Sequence, residues 1–122
     1  MIDLILLFVM VGFAALGFIG LVIPGRIAGY FGSKSINNDQ RNELRAVYGG
    51  LPLGVTLLGI LALTGSSPLS IQQTLYVYAS LLLGMAVGRL ISLCVERPTS
   101  KSYLFLGLEV VFGGIALYGF SL

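Results

Sequence analysis

Histidine is absent from this sequence, and cysteine occurs once, as Cys94. The first absence removes the commonest metal ligand and the only side chain whose unperturbed pKa lies near neutrality. The second rules out an intrachain disulfide. Cys94 sits in an apolar run, where packing is its ordinary role. No Cys/His cluster, nucleophile–base pair or phosphate-binding glycine loop occurs, so no metal, cofactor or catalytic residue is expected. Charge is scarce as well: charged residues make up 10% of the 122, against about 25% in a soluble domain. The net charge of +2, with no basic stripe interleaved with aromatics, speaks against a nucleic-acid partner.

What the chain has in place of charge is apolar surface. It is 57% hydrophobic, with a mean hydropathy of +0.98. A small soluble fold buries only about two-thirds of what its chain exposes, so the excess is expected to face lipid. A spanning helix needs about 20 mostly apolar residues, and four such runs lie at about 4–23, 44–64, 71–95 and 103–121. The stretch before the first run carries Asp3 in place of a basic n-region, and the run itself exceeds the roughly 7–15 apolar residues of a signal peptide, so it is read as a retained helix. Pro24-Gly25-Arg26, Gly65-Ser66-Ser67-Pro68 and Glu96-Arg97-Pro98 mark the borders. Between the first two runs, Ile27, Tyr30 and Phe31 are spaced as one side of a helical turn, which predicts an interfacial segment over 26–41. Asn37 and Gln40 are placed to form a capping box for the second helix. The expected fold is an all-α integral membrane protein, a single four-transmembrane-helix bundle over 1–122 with both termini on the same side. Short connections make its neighbouring helices antiparallel.

Lysine and arginine set the expected orientation. Arg26, Lys34 and Arg41 lie between the first two helices, and Arg97 and Lys101 between the last two. The side with the N-terminus, the 65–70 turn and the C-terminus has none. Both charged loops are therefore expected in the cytoplasm and both termini in the periplasm.

Four charges fall within or at the edge of spans, where each costs about 2.5–3.5 kcal/mol at a helix centre. Counting rise per residue brings Glu43, Arg45, Arg89 and Glu109 to one leaflet, with Tyr48 one turn beyond Arg45. Arg89–Glu109 matches best in depth, and Arg45 is the alternative partner for Glu109. The cluster reads as an ionic clasp holding helices in register, as a polar pocket for an anionic headgroup or a proton-coupled solute, or as side chains that snorkel to the interface. A second pattern is made of small residues one turn apart: Ser80, Gly84, Gly88 and Ser92 in the third helix, and Ala46, Gly50 and Gly54 in the second. Such rows let membrane helices approach closely, either helix 2 on helix 3 within one chain or between subunits. Pro52 is expected to loosen or bend the second helix.

The run Asn42-Glu43-Leu44-Arg45-Ala46-Val47-Tyr48-Gly49-Gly50, with Gly88-Arg89 and Leu108-Glu109, resembles a family of small four-helix bacterial membrane proteins described only as a domain of unknown function. The resemblance covers nearly the whole chain. It implies a bacterial inner-membrane four-helix fold with Glu43, Arg45, Tyr48, Arg89 and Glu109 as its polar centre, and it brings no reaction with it. Two functions follow as expectations. One is a non-enzymatic, self-associating protein, a dimer or trimer with membrane lipids as its other partner, with a structural or accessory role in the envelope. The other is a carrier or binder of a hydrophobic, cationic or lipid-like small molecule. Against a multidrug-exporter role stand a first helix without a carboxylate and the one-sided loop charge. A lipid-modifying enzyme lacks a nucleophile–base pair.

Overall fold

A computed structural model describes residues 1–122. Its helices are α1 (Ile2–Val22), α2 (Pro24–Tyr30), α3 (Asn38–Leu44), α4 (Leu51–Leu63), α5 (Ile71–Val95) and α6 (Ser100–Ser121). A π-helical turn, Arg45–Gly50, joins α3 to α4, so that Asn38–Leu63 is one continuous helix. In that turn the Leu51 N–H reaches back to the Ala46 carbonyl. It lies just ahead of Pro52, whose missing N–H interrupts the regular ladder.

Four helices are each long and apolar enough to cross a membrane: Ile2–Val22, Asn38–Leu63, Ile71–Val95 and Ser100–Ser121. Large apolar side chains such as Phe8, Phe18, Leu57 and Val111 are exposed all round them. Leucine and phenylalanine in that number are unstable in water and at home in hydrocarbon. The protein is a multi-pass membrane protein.

Local sequence explains the helix ends. Asn37 and Gln40 exchange side-chain-to-backbone hydrogen bonds of 2.8 Å each, which carries the second span back to Asn38, well before its apolar stretch. Ser70 and Gln73 make the same reciprocal box at the start of α5. Gly32 (φ 90°) and Gly65 (φ 71°) close α2 and α4. At each, the glycine N–H and the next N–H bond back to Gly29 and Ala28, or to Ala62 and Leu61, an arrangement that needs a left-handed residue.

The core lies towards one end of the bundle. Leu6, Val9 and Met10 from α1 meet Val55 and Ala62 from α4, Leu75, Tyr78, Ala79 and Leu82 from α5, and Ala116 from α6. Tyr78 is fully buried, and its hydroxyl donates to the Val55 carbonyl over 2.6 Å. Both termini and the 64–70 turn share this end: a Cβ on Gly119 would touch Ile5 and Leu75, each at 2.8 Å. Past Tyr78 and Val55, α4 and α5 part.

The small-residue rows do not join α4 to α5. Gly54, Gly84 and Gly88 have nothing within 4 Å of where a Cβ would stand, and Gly50 meets only the Arg45 carbonyl of its own helix. Ala46, Ser80 and Ser92 are exposed. Close approach happens elsewhere. A Cβ on Gly17 would meet Leu53 at 2.7 Å, one on Gly49 would meet the Leu21 N at 2.8 Å, and one on Gly20 would collide with the Tyr48 carbonyl. The tight crossing is thus α1 on the π-helical turn. On α6, Gly113, Ala116 and Gly119 are all buried, three residues apart, and Gly113 admits Leu83.

Candidate functional site: a cleft with an ion pair in its wall

Arg89 and Glu109 lie on α5 and α6, whose short connection sets them antiparallel and side by side. The Arg89 Nε donates to both Glu109 carboxylate oxygens, at 2.7 and 2.8 Å. The Glu109 side chain is 6% exposed and that of Arg89 is 26% exposed. A carboxylate so buried is tolerable only if paired, and Arg89 supplies the pair. The guanidinium carbon also stands 4.9 Å from the Phe105 ring centroid, a cation–π position. Because only Nε faces the carboxylate, the two Nη groups donate to nothing in the protein.

The pair lies in the wall of a cavity of about 960 Å³. That is near the upper end of the roughly 300–1,000 Å³ of small-molecule sites. α1 contributes Val9, Phe13, Leu16 and Ile19, α5 contributes Leu81, Leu82 and Met85, and α6 contributes Phe105, Leu108 and Phe112. Val47, Leu51, Leu81 and Met85 line the cavity and are exposed, so it is a cleft open sideways between α4 and α5. Gly88 and Ser92 lie on the α5 wall. There the small residues keep the space between the helices clear instead of drawing them together.

At its other end the cleft is roofed by α2. Tyr30 packs edge-on against Phe105, with centroids 5.5 Å apart, and Phe31 lies at the same distance from that ring. Lys101 ties the roof down from α6: its Nζ donates to the Tyr30 carbonyl and lies 4.5 Å from the Tyr30 ring centroid. The surface segment expected from Ile27, Tyr30 and Phe31 is therefore folded back over the mouth of the bundle.

The five polar residues singled out from the sequence do not form one cluster. Arg89 and Glu109 meet, and Tyr48 lines the same cleft, its ring 6.4 Å from Phe31. Arg45 does not reach Glu109; its Nε donates to the Leu21 carbonyl over 3.1 Å. It thereby satisfies a free carbonyl of the last turn of α1, which has no cation of its own. Glu43 is exposed and makes no ion pair. The reason is position around the bundle rather than depth: the π-helical turn packs on α1, on the far side from Glu109. Two contributors escaped sequence reasoning, Arg26 and Phe105, both of which line the cleft. The signal for Arg26 was its place beside an amphipathic turn that folds back.

This chain belongs to the family described as Domain of unknown function (DUF4345), whose model matches residues 1–120. No curated protein and no solved structure matches it.

Proposed function

We propose that this protein is a non-enzymatic binder of an amphipathic, lipid-like molecule, held in the cleft between its helices and loaded sideways from the bilayer. The observation that carries the reading is a roomy, apolar, laterally open cavity with a charged pair in its wall. From Leu81 to Arg89 the apolar wall runs about 12 Å at about 1.5 Å per residue, most of the ~15 Å half-thickness of a bilayer core. A chain of one leaflet thus fits beside α5 with its head level with Arg89. Of the serine hydroxyls in the lining, that of Ser92 donates to the exposed Glu96 carboxylate and that of Ser102 pairs with the Thr99 hydroxyl, so both are engaged at the charged-loop end, which supports binding over chemistry. The loop charge bias supports a bacterial inner-membrane location with periplasmic termini, so the chain would come from the cytoplasmic leaflet.

Two glycines test this. Gly54 and Gly88 are equally open, but only Gly88 lines the cleft. In nanodiscs, a long-chain amphiphile with an environment-sensitive fluorophore should bind saturably to the parent chain and to Gly54→Leu, and not to Gly88→Leu. Equal binding by both variants would defeat the reading.

A second reading, self-association as a dimer or trimer with a supporting role in the envelope, is favoured by one observation. Ser80 and Gly84 are exposed on α5, outside the cleft lining, with open space beyond Gly84. That face allows close approach of another helix. Light scattering in mild detergent should show an assembly that Gly84→Leu reduces to smaller, still helical particles. A monomeric parent in several detergents and in nanodiscs would remove this reading.

A further inference from the structure

We infer that the cleft selects an amphiphile with an anionic headgroup, bound by the Nη groups of Arg89 together with the guanidinium of Arg26. This rests on the proposed function and adds the sign of the ligand.

The cleft is lined by two cationic side chains, Arg26 and Arg89, and one carboxylate, Glu109. Both oxygens of that carboxylate accept from the Arg89 Nε, and the Glu109 side chain is 6% exposed, so its charge is already compensated and out of reach. A cationic head would therefore find no free acid, and would have to break the ion pair to obtain one. An anionic head finds the opposite. The Arg89 Nη groups are without acceptors, and Arg26 forms no ion pair or hydrogen bond through its side chain. A guanidinium held from one side by a carboxylate keeps its remaining N–H groups fixed in direction. Such a fork is suited to a carboxylate or phosphate. Tyr48, which lines the same cleft from the π-helical turn, makes no hydrogen bond through its hydroxyl and adds one neutral donor. Lys101, held over Tyr30, adds positive potential at the roof.

Glu109 then has a purpose beyond pairing. It fixes the orientation of Arg89 and lowers the cost of keeping a cation in the wall when the cleft is empty. Arg26, in the roof helix α2, supplies the charge that Glu109 cancels. The bound head would be neutralised by the two arginines acting together.

The test uses long-chain fluorescent probes that share one tail and differ in the head: carboxylate, phosphate monoester, phosphocholine, trimethylammonium and a neutral alcohol. Binding to the purified protein in neutral-lipid nanodiscs should favour the two anionic heads by about tenfold or more, the value of one charge-assisted hydrogen bond. Arg26→Gln should cut that preference several-fold, whereas Gly54→Leu, outside the cleft, should leave it unchanged. Arg89→Lys, which keeps a charge for Glu109 but removes the fork, should cut it as well. Phosphate ahead of carboxylate would assign a phospholipid-type ligand, and the reverse a fatty acid; either supports the inference. Equal affinity for all heads, still abolished by Gly88→Leu, would overturn the inference and leave the cleft's binding role standing. So would an anionic preference untouched by both arginine variants. Failure of every probe to bind would overturn both.

Discussion

At the scale of single residues, the α5–α6 contact turns on Arg89 and Glu109. Removing either partner leaves a charge without compensation in a low-dielectric setting, at a cost of about 3–5 kcal/mol for a fully buried pair. Arg89 is partly exposed, which places the expected loss at the lower end. Arg89→Ala and Glu109→Ala should each lower the thermal midpoint in detergent, and the double variant should lose less than the sum. Strict additivity across that cycle would mean that the two side chains are energetically independent. Arg45 belongs to a different contact, a hydrogen bond to the Leu21 carbonyl at an exposed helix end. Arg45→Ala should cost less than about 1 kcal/mol and should be additive with Glu109→Ala. A large coupling between those two positions would return Arg45 to the site.

At the scale of elements, the protein depends on one tight crossing and one wide one. α1 passes the π-helical turn through Gly17, Gly20 and Gly49, where any Cβ meets backbone or the Leu53 side chain. Gly20→Ala should therefore destabilise by about 1–3 kcal/mol, the usual penalty of overpacking, whereas Gly54→Ala should be neutral or mildly stabilising. Thermal unfolding followed by circular dichroism separates the two, and equal tolerance would mean that the crossing is loose. The contrast shows what was legible in the sequence. Four apolar runs, their prolines and glycines and the Asn37 and Ser70 boxes are local signals, and local signals suffice to place helices. Depth along a helix is equally local, and a short loop does the rest for Arg89 and Glu109. Position around the bundle is not local. Spacing alone did not show that Arg45 would fall beside α1, or that the four-residue rows would face open space while Gly113, Ala116 and Gly119, three residues apart, packed inside. Nor did it show that α4 and α5 diverge beyond Tyr78, because that depends on which helix α1 chooses to cross closely.

At the scale of the whole molecule, the core is concentrated at the end with the termini and the cleft at the end with the charged loops. This polarity gives the protein a packed half and an open half. On the proposed function the opening would face a single leaflet, so orientation would decide which lipids could enter. An alkaline-phosphatase-type reporter fused after Leu122 should be active and one placed within Ser33–Asp39 silent. The reverse pattern would move the cleft to the outer leaflet, and signals at both sites would indicate insertion in two orientations.

A chain that enters between the helices touches side chains that a chain coating their outside does not. Phe13 and Leu16 are half-buried and line the cleft. Phe18 and Leu57 are 65% and 54% exposed, face outwards and do not line it. The most direct measurement is photo-cross-linking with a trace amphiphile carrying a diazirine near the end of its tail, mapped by peptide mass spectrometry. The account predicts adducts at Phe13 and Leu16 that disappear with excess unlabelled amphiphile, while adducts at Phe18 and Leu57 persist. Labelling confined to outward residues such as Phe18 and Leu57, unaffected by competitor, would contradict it.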